Sequence, residues 1–388
     1  MKNNTKEYNK AQNKTILVAC GGTGGHLLPG ILVGRQLAAK TGASVLYLVN
    51  DKKVTKYFVD EVQSELIMAP ELVFKFSSIS NIIKMILNFF KVIGIVLNLV
   101  FKCNLKLVVT AGGGAGIIPV ILSRILGIRS VLLEQNVIMG KANRLLLKFA
   151  DYAYISFPCI NIKETRKIKM TGNPIREDFF KNKTDRKTAA LKLNLDPDTF
   201  TLLFIGGSQG ASKINSLAMN IVADVLKLRG KIQVIHLSGA ILNKELDDFY
   251  KALGIKYHCR EFSKDMLEIY TLSDFAFSRA GGGVMTELLY FNIPAVLIPF
   301  PYAAEDHQKF NAEYIASKKL GWFVSESDIE KGSGKDRIMA ILNNENEIQS
   351  VRKNLELLSK TSSAEVIALD IQKNYFNKTE SRQLKADS

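Results

Sequence analysis

The chain has 388 residues, which is long enough for two domains of ordinary size with separate hydrophobic cores. Its 47% hydrophobic and 23% charged residues are typical of a globular protein. The 52 Lys and Arg residues outnumber the 37 Asp and Glu residues, and the resulting net charge of +15 favours anionic partners. Phosphorylated substrates or an acidic membrane surface fit this charge. Nucleic acid fits it poorly, because no nucleic-acid-binding motif accompanies the charge.

The N-terminus and the cysteines are typical of a reducing cytoplasm. The opening sequence MKNNTKEYNKAQNK lacks the apolar core of a signal peptide, so we expect no export and a polar tail at residues 1–13. The four cysteines (Cys20, Cys103, Cys159 and Cys259) show no CxxC or metal-ligand spacing. Cys20 and Cys103 lie beside apolar strands, where we expect them to pack as small hydrophobic side chains.

The first predicted element is an apolar strand, Thr15–Cys20, that leads directly into the glycine turn GGTGGH at residues 21–26. Pro29 then lies in the opening turn of a helix that runs to about Lys40, and Ser44–Val49 is the next strand. A strand, a glycine turn and a helix start together aim backbone N–H groups and the positive end of a helix dipole at one point.

Residues 79–101 (ISNIIKMILNFFKVIGIVLNLVF) form the most apolar stretch of the chain. They are numerous enough to span a membrane, but Lys84 and Lys91 interrupt them, and a charge at mid-bilayer is costly. We therefore expect a long helix that covers the sheet. The alternative is an apolar helix face, ringed by Lys75, Lys84, Lys91 and Lys102, that rests on an anionic bilayer surface.

Further strands follow at Leu105–Thr110, before the glycine cluster AGGGAG, and at 129–133, before Glu134-Gln135-Asn136. After an interdomain crossing between residues 158 and 174, the strand Thr201–Ile205 leads into a second glycine turn, GGSQG, about one domain length after the first. Alternating strands and helices predict doubly wound parallel sheets that bind ligands at the carboxyl ends of their strands. The remaining predicted strands are Gln233–Leu237, 275–277 and 295–298.

A third glycine cluster, residues 278–287 (SRAGGGVMTE), carries the strongest chemical signal. A strand ends, glycines open the backbone, a helix begins, and Glu287 lies one turn inside that helix. Exposed N–H groups suit phosphate oxygens, and a carboxylate suits the two hydroxyls of a ribose. The alternative is a tight turn whose Glu is merely favoured by the helix dipole. In the following loop, residues 299–312, Gln308 and Asn311 offer the paired donors and acceptors that recognise sugar hydroxyls.

Six motifs occur in order along nearly the whole chain: GGTGGH, LEQN, TGNPIR, GGSQGA, the RAGGG…TE cluster and PFPYAAEDHQKFNA. As an ordered set they resemble the MurG family of peptidoglycan N-acetylglucosaminyltransferases. The resemblance implies an α/β GT-B fold, with two doubly wound Rossmann-like domains facing a central cleft. It also implies transfer of N-acetylglucosamine from UDP-N-acetylglucosamine to the muramoyl 4-hydroxyl of lipid I, forming lipid II. The enzyme would act peripherally at the cytoplasmic face of the cell (inner) membrane.

The resemblance also suggests domain limits and partners. The N-terminal domain, on the acceptor and membrane side, would span residues 14–175, and the UDP-sugar-binding domain residues 176–362. Residues 363–388 would form a C-terminal helix, with Ser363 as its cap and the N-terminal domain as one packing partner, and a frayed tail. The expected partners are UDP-N-acetylglucosamine, the undecaprenyl-linked acceptor lipid I and an anionic membrane surface, with cell-wall synthesis and division proteins as candidates. No nucleic acid, cofactor or metal is expected.

The family's site residues carry over by motif. Glu287 would hold the ribose and Gln308 would read the glucosamine, while Ser263 stands where the family usually has an apolar residue near uracil. Residues 112–114 would form the acceptor loop, in which Gly114 replaces the usual tyrosine of the family. The full donor-side set is Thr23, Gly24, Gly25, Asn136, Arg176, Ser208, Ser263, Gly281, Gly282, Gly283, Val284, Met285, Thr286, Glu287 and Gln308, and the acceptor loop is Gly112, Gly113 and Gly114.

The family reaction is an inverting transfer, which needs a base for the acceptor hydroxyl and positive charge for the departing diphosphate. His26 is the candidate base, because histidine titrates near neutral pH. It could instead bond a substrate diphosphate or be a helix N-terminal residue without chemistry. Arg176 and the helix start at 281–284 would meet the leaving group. The only Asp-x-Asp sequence, Asp196-Pro197-Asp198, is predicted to lie in a turn and not at a metal site.

Other functions fit the sequence to different extents. A dinucleotide-dependent oxidoreductase needs GxGxxG, but Leu27 occupies the third glycine position. A non-enzymatic membrane-docking protein would explain the apolar helix but not three glycine turns. A UDP-sugar 2-epimerase or a glycolipid-forming glycosyltransferase of the same fold remains as the alternative.

Overall fold

The structure is a computed structural model, and it describes residues 14–21, 24–49, 66–70, 79–163, 165–206, 212–239 and 244–376. The expected polar tail at 1–13, Lys75 and the expected frayed tail after residue 376 lie outside these residues. The chain divides into two compact units. The N-terminal unit comprises Met1–Ile175 with Ser362–Ser388, and the C-terminal unit comprises Arg176–Thr361.

The N-terminal unit contains a parallel sheet in the order β3-β2-β1-β4-β5-β6-β7. Its inner strands are buried and mainly apolar, apart from the exposed Lys106 near the start of β4, as expected for a sheet covered on both faces. The strand order reverses between β1 and β4, which is where ligands bind in such sheets. The strands are β1 (Thr15–Cys20), β2 (Ser44–Val49), β3 (Leu66–Met68), β4 (Leu105–Thr110), β5 (Arg129–Glu134), β6 (Tyr152–Ile155) and β7 (Ile168–Met170).

The described helices of this part of the unit are α1 (Gly24–Thr41), α2 (Ile79–Cys103), α3 (Ile117–Ile125) and α4 (Lys141–Leu146). Helix α1 begins five residues before Pro29, so the expectation that Pro29 lies in the opening turn was wrong. Its missing N–H falls in the second turn, where it removes one helical hydrogen bond. Gly30 and Gly34 let α1 approach the sheet closely: an added Cβ would lie 2.3 Å from Cys20 Sγ and 2.6 Å from the Tyr47 hydroxyl, respectively.

Helix α2 has two different faces. Val92, Val96 and Leu99 are buried in the core against the sheet. On the other side, Phe90 is 63% exposed and Leu87 54% exposed. By length and composition, Ser80–Cys103 could cross a membrane, with a mean hydropathy of 1.9, and 17% of its most apolar window is buried inside the structure. The helix covers the sheet as expected, but its solvent side is apolar where a surface helix is normally polar.

The chain returns to the N-terminal unit at its end. Helix α15 (Ser363–Ile371) and the π turn Gln372–Phe376 pack on α1, burying Ile367 and Ile371 in the same core as Ile31. The cap of α15 is Ser362, whose Oγ accepts from the Glu365 N–H at 3.4 Å. The expectation that Ser363 is the cap was therefore wrong by one residue, since Ser363 is already buried inside the helix.

The C-terminal unit contains a second parallel sheet, in the order β10-β9-β8-β11-β12-β13. Phe204, Phe277 and Trp322 from this sheet lie in one continuous core with the helices of the unit. The strands are β8 (Thr201–Ile205), β9 (Gln233–Leu237), β10 (Lys256–Arg260), β11 (Phe275–Ser278), β12 (Ala295–Leu297) and β13 (Trp322–Phe323).

Ten helices connect and cover these strands in the described part of the unit. Their limits are α5 (Asp178–Lys181), α6 (Arg186–Leu193), α7 (Ser212–Arg229), α8 (Lys244–Ala252), α9 (Met266–Leu272), α10 (Gly282–Tyr290), α11 (His307–Ser317), α12 (Glu326–Glu330), α13 (Ser333–Asn343) and α14 (Glu345–Glu356).

Candidate active site

The start of α10 lies at the carboxyl end of β11, next to the central strand β8 of the C-terminal sheet. Gly281 is its N-cap, and a glycine has no side chain with which to cap the helix. A Cβ added at Gly281 or Gly283 would meet no described atom within 4 Å, so the space beside both glycines is open. The first N–H groups of a helix have no acceptor within the helix, and they carry the positive end of its dipole. This helix start therefore suits a phosphate group.

Two further side chains of the third glycine cluster, those of Met285 and Thr286, are engaged within the unit. Met285 is 1% exposed and belongs to the interior. Thr286 Oγ1 donates to the Gly282 carbonyl at 2.7 Å, inside the helix. Met285 would therefore meet a ligand only through its backbone.

Glu287 is 7% exposed, and its Oε2 accepts a hydrogen bond from the Tyr270 hydroxyl at 2.6 Å. Burial raises the pKa of the Glu287 carboxyl, while the Tyr270 hydrogen bond and the charge of Arg176 lower it. Arg176 thus lies within electrostatic reach of Glu287. Both residues were predicted for the donor site, with separate roles, and α9 supplies Tyr270, which we did not predict from the sequence.

Ser263 precedes α9 and is 7% exposed. Its Oγ accepts from the Asp265 N–H at 3.0 Å, which closes a local turn before the helix. The hydroxyl that replaces the family's usual apolar residue therefore has a local hydrogen-bond partner in this chain.

The loop after β12 is tied to the start of α10. Asn311 is fully buried and donates from Nδ2 to the Ala280 carbonyl at 2.9 Å. Gln308 Oε1 accepts from the Phe300 N–H at 3.0 Å, and no described residue accepts from its Nε2 group. Gln308 therefore presents N–H donors in the first turn of α11, while Asn311 acts within the protein.

Arg279, immediately after β11, holds this loop in place. Its guanidinium donates to the carbonyls of Ile298 and Pro299 at 3.2 Å each, and it pairs with Glu326 at 2.5 Å. Both side chains are nearly buried, at 12% and 11% exposure, and the guanidinium lies 5.4 Å from the centre of the Phe300 ring. The sequence carries no signal for a role of Arg279 or Glu326, because their pairing depends on the fold that brings α12 beside the end of β11.

In the N-terminal unit, the GGTGGH turn and the AGGGAG cluster pack directly on each other. A Cβ at Gly21 would lie 3.1 Å from the Gly112 carbonyl oxygen and from Gly113 Cα. Gly112 and Gly113 have φ values of 101° and 76°, which favour glycine. A Cβ at Gly112 would also lie 3.2 Å from His26 Cδ2. Half-buried His26, in the first turn of α1, therefore lies against Gly112 at the strand-order reversal.

The LEQN motif is organised by its acid. Glu134 is 3% exposed; Oε1 accepts from the backbone and side-chain nitrogens of Asn136 at 3.1 Å each. Oε2 accepts from the Gly140 N–H at 3.1 Å and from Asn143 Nδ2 at 2.9 Å. Glu134 therefore orients Asn136, the predicted ligand residue, and closes the loop after β5. The sequence signal for this role is that an acidic residue, Glu134, ends a buried strand.

Gly114 opens a short 3₁₀ turn, Gly114–Gly116, between β4 and α3. A Cβ at Gly116 would lie 2.1 Å from Thr110 Oγ1, so the turn packs closely on the end of β4. Thr23 and Ser208, predicted on the first and second GG-containing turns, lie outside the described residues.

The Asp196-Pro197-Asp198 sequence lies before β8, at the amino end of the strand. Asp196 pairs with Lys231 at 2.9 Å and accepts from the Asp198 N–H at 2.9 Å. Within the described ranges, no group of three or more His, Cys, Asp or Glu side chains could hold a metal ion.

Two family models match the chain, one in each unit. The glycosyltransferase family 28 N-terminal domain matches residues 16–155, and the family 28 C-terminal domain matches residues 201–368. The crystal structure of Acinetobacter baumannii MurG superimposes with a TM-score of 0.72 at 20% identity, covering 93% of this chain and 100% of that one. Together with the two parallel sheets, this similarity confirms the predicted two-domain α/β GT-B fold.

Curated relatives extend the match over the sequence. A protein of Citrifermentans bemidjiense is 28% identical over 363 residues, covering 91% of this chain and 97% of the relative. One of Thermodesulfovibrio yellowstonii is 30% identical over 347 residues, covering 89% and 93%. Both are named UDP-N-acetylglucosamine–N-acetylmuramyl-(pentapeptide) pyrophosphoryl-undecaprenol N-acetylglucosamine transferase.

This chain belongs to the MurG family. Membership confirms the resemblance inferred from the ordered motifs. The residues matched by the family 28 C-terminal domain include the start of α10, the buried Glu287 and Gln308. His26 and Asn136 lie in the matched N-terminal domain. Gly114, where the resemblance led us to expect a tyrosine, also lies in the matched N-terminal domain.

Proposed function

We propose that this chain transfers N-acetylglucosamine from UDP-N-acetylglucosamine to the muramoyl 4-hydroxyl of lipid I, forming lipid II for peptidoglycan synthesis. The observation that carries the proposal is the start of α10, where the N-cap is a glycine and the space beside Gly281 and Gly283 is open, with an acid, Glu287, one turn further on. The printed activity of the curated relatives supports the same reaction.

The donor is bound mainly by the C-terminal unit in this proposal. Residues 281–286 receive the diphosphate through backbone N–H groups, and the Glu287 carboxylate accepts from the ribose hydroxyls. Gln308 donates from Nε2 to the amino sugar, and Ser263 lies beside the uracil. Arg176 and the helix dipole stabilise the negative charge on the departing UDP.

The N-terminal unit supplies the acceptor side and further donor contacts. Thr23, Gly24, Gly25 and Asn136 are proposed to contact the donor, as is Ser208 of the C-terminal unit. Residues 112–114 receive the acceptor. His26 removes the proton of the 4-hydroxyl as that oxygen bonds to the anomeric carbon and the bond from this carbon to UDP breaks. The configuration at the anomeric carbon inverts.

The test of this reaction is incubation of the purified protein with labelled UDP-N-acetylglucosamine, with and without lipid I. We expect one equivalent of UDP and of disaccharide lipid per sugar transferred, and only with lipid I present. Conversion of the donor to UDP-N-acetylmannosamine without an acceptor would support the 2-epimerase alternative. Transfer to other lipid acceptors but not to lipid I would support the glycolipid-forming alternative.

We further propose that the protein docks peripherally on the cytoplasmic face of the membrane through α2. Ile83, Leu87 and Phe90 recur at helical spacing and are each more than half exposed. Exposed Lys84 and Lys91 flank this stripe and would attract anionic headgroups. Cell-wall synthesis and division proteins are the proposed protein partners at that surface.

Sedimentation with vesicles of phosphatidylcholine and about 30% phosphatidylglycerol tests this docking. We expect the double variant Leu87→Ser and Phe90→Ser to lose most vesicle binding while keeping its activity on a short-chain, water-soluble acceptor. Leu357→Ser, which removes a still more exposed apolar side chain of the C-terminal unit (85% exposed), is the control. Equal sedimentation of the double variant and the control would contradict docking through α2.

A further inference from the structure

We infer that Tyr270 is a positioning residue for the donor: its hydroxyl holds the Glu287 carboxylate in the orientation that receives the ribose hydroxyls. The inference deepens the proposed function, because it rests on the assignment of Glu287 to the ribose. It adds a residue outside the six motifs, on a different helix from the glycine cluster.

The hydrogen bond between the two side chains is short and enclosed. The Tyr270 hydroxyl lies 2.6 Å from Glu287 Oε2, a distance typical of an O–H donor to a carboxylate. Tyr270 is 1% exposed and Glu287 is 7% exposed. With little water to replace it, this hydrogen bond sets the plane of the carboxylate.

The tyrosine ring cannot turn away from the acid. Phe291 stacks on it at a centroid distance of 5.1 Å, and Phe179 meets it edge-on at 5.9 Å. Phe179 is itself held by Tyr290, whose hydroxyl donates to the Phe179 carbonyl at 2.9 Å. The hydroxyl position is therefore determined by packing, which is what a supporting residue for a binding group requires.

The carboxylate has capacity left for a ligand. An ionised carboxylate offers about four lone-pair directions, and Tyr270 uses one of them. A carboxylate oriented in this way can accept from two neighbouring hydroxyls of a ribose. The two ribose hydroxyls are consequently the ligand groups whose binding should depend on Tyr270, and a ribose without its 2′-hydroxyl should depend on it less.

Burial and three neighbouring groups determine the protonation of Glu287. Burial raises its pKa, the Tyr270 hydrogen bond and Arg176 lower it, and the nearby charge of Asp178 raises it. Removing the Tyr270 hydroxyl takes away a stabilising contact to the ionised form, so the pKa of Glu287 must rise. The ionised carboxylate is the form that accepts from ribose, so donor binding should then fail at a higher pH.

Tyr270→Phe tests the inference by calorimetry with UDP and with 2′-deoxy-UDP, from about pH 5 to about pH 8.5. Relative to wild type, we expect about tenfold weaker UDP binding near neutral pH, as for loss of a hydrogen bond to a charged group. The loss for 2′-deoxy-UDP should be much smaller. At acidic pH, the affinity for UDP should fall as Glu287 becomes protonated. This acidic limb of the binding profile should move to higher pH.

Tyr290→Phe is the matched control, because it removes a hydroxyl from the same aromatic cluster that does not contact Glu287. We expect it to bind UDP as wild type does, with an unchanged pH profile. Equal losses for UDP and 2′-deoxy-UDP in Tyr270→Phe, or an unmoved acidic limb, would overturn the inference. Wild-type protein that does not bind UDP at all would instead overturn the proposed function.

A second variant covers the case in which Tyr270→Phe does not fold. Site-specific 3-fluorotyrosine at position 270 keeps the shape of the ring and makes its hydroxyl a stronger donor. It should stabilise ionised Glu287 and move the acidic limb of UDP binding to lower pH. If UDP affinity fell at the same pH as in wild type, the result would contradict the inference.

Discussion

Glu287 shows how a binding group can cost stability. Its carboxyl is almost completely buried, and burial raises its pKa above the ordinary value. Ionisation of such a group opposes folding, because the unfolded chain solvates the charge better. The Tyr270 hydroxyl and Arg176 offset part of this cost. In the proposed function, the charged carboxylate is the form that accepts hydrogen bonds from the ribose.

Glu287→Gln should therefore stabilise the protein and abolish donor binding together. The amide keeps the shape of the side chain but carries no charge to bury. Since the folded-state pKa of Glu287 is raised, the gain in melting temperature should be full at neutral pH. It should shrink as the pH falls toward about 4.3, where the acid is also neutral in the unfolded chain. Thermal melts at several pH values, together with UDP calorimetry, check both effects. A lower melting temperature at neutral pH would contradict this account.

His236 on β9 is a second buried titratable side chain, and it has a structural role. It is fully buried; Nδ1 lies 2.7 Å from the Tyr250 hydroxyl and Nε2 lies 3.0 Å from Asn215 Oδ1. Burial lowers its pKa to about 3. Its imidazole is thus neutral in the fold at any pH at which the enzyme works.

This histidine should make the C-terminal unit sensitive to acid. Below about pH 6.5 the unfolded chain binds a proton that the folded chain does not, so stability falls by up to about 1.4 kcal/mol per pH unit. His236→Gln should be less stable than wild type at pH 7.5, and this difference should narrow as the pH falls to about 5. Denaturant titrations at both pH values measure it. A difference that stays constant with pH would show that the histidine does not contribute the acid sensitivity.

At the scale of elements, α15 is joined to the N-terminal unit by a polar cluster as well as by its apolar face. Asp370 Oδ2 accepts from the Tyr154 hydroxyl at 2.7 Å and from Lys169 Nζ at 2.6 Å. Burial raises the pKa of Asp370, but these two partners outweigh it and the pKa is lowered overall. Lys169 also lies 4.1 Å from the centre of the Tyr152 ring. The charge pair thus connects the C-terminal helix to β6 and β7.

Asp370→Ala should loosen this helix without unfolding the sheet. Because the pair is partly exposed, we expect a cost of about 1 kcal/mol at neutral pH, lost as the pH falls and Asp370 becomes protonated. Hydrogen exchange of residues 363–376 should be faster than in wild type. Glu365→Ala, which removes a more exposed pair with Lys40, should have a smaller effect. Equal exchange in Asp370→Ala and Glu365→Ala would contradict the special role of Asp370.

At the scale of the whole molecule, each unit provides a parallel sheet with glycine turns at the carboxyl ends of its strands. The positive charge proposed for the leaving diphosphate comes from the start of α10 and from Arg176. A helix dipole and a guanidinium can supply this stabilisation without a divalent ion.

Transfer activity should therefore survive chelation. We expect the rate with excess EDTA to remain within about twofold of the untreated rate, because no step in the proposed mechanism needs a Lewis acid. The measurement is UDP release at saturating donor and acceptor, before and after dialysis against EDTA. Complete loss, restored by a divalent ion, would contradict the mechanism.

The sequence alone was sufficient for the parts of this protein that are encoded locally. Apolar runs followed by glycine turns identified the central strands β1, β4, β8 and β11, because burial on both faces and the need for open backbone leave a local pattern. The ordered motifs identified the family. Strands β3, β6, β7, β10 and β13 were missed, since they are short or partly polar and are strands only because a neighbour pairs with them.

Tertiary structure alone decided the contacts that join distant segments. The Tyr270 bond to Glu287 and the Arg279 pair with Glu326 have no local signature, because each depends on helices that the sheet brings together. The apolar solvent face of α2 is of the same kind: periodicity predicted a long apolar helix, but the sheet determined which residues it buries. Local pattern specifies elements, and burial against other elements specifies what their side chains do.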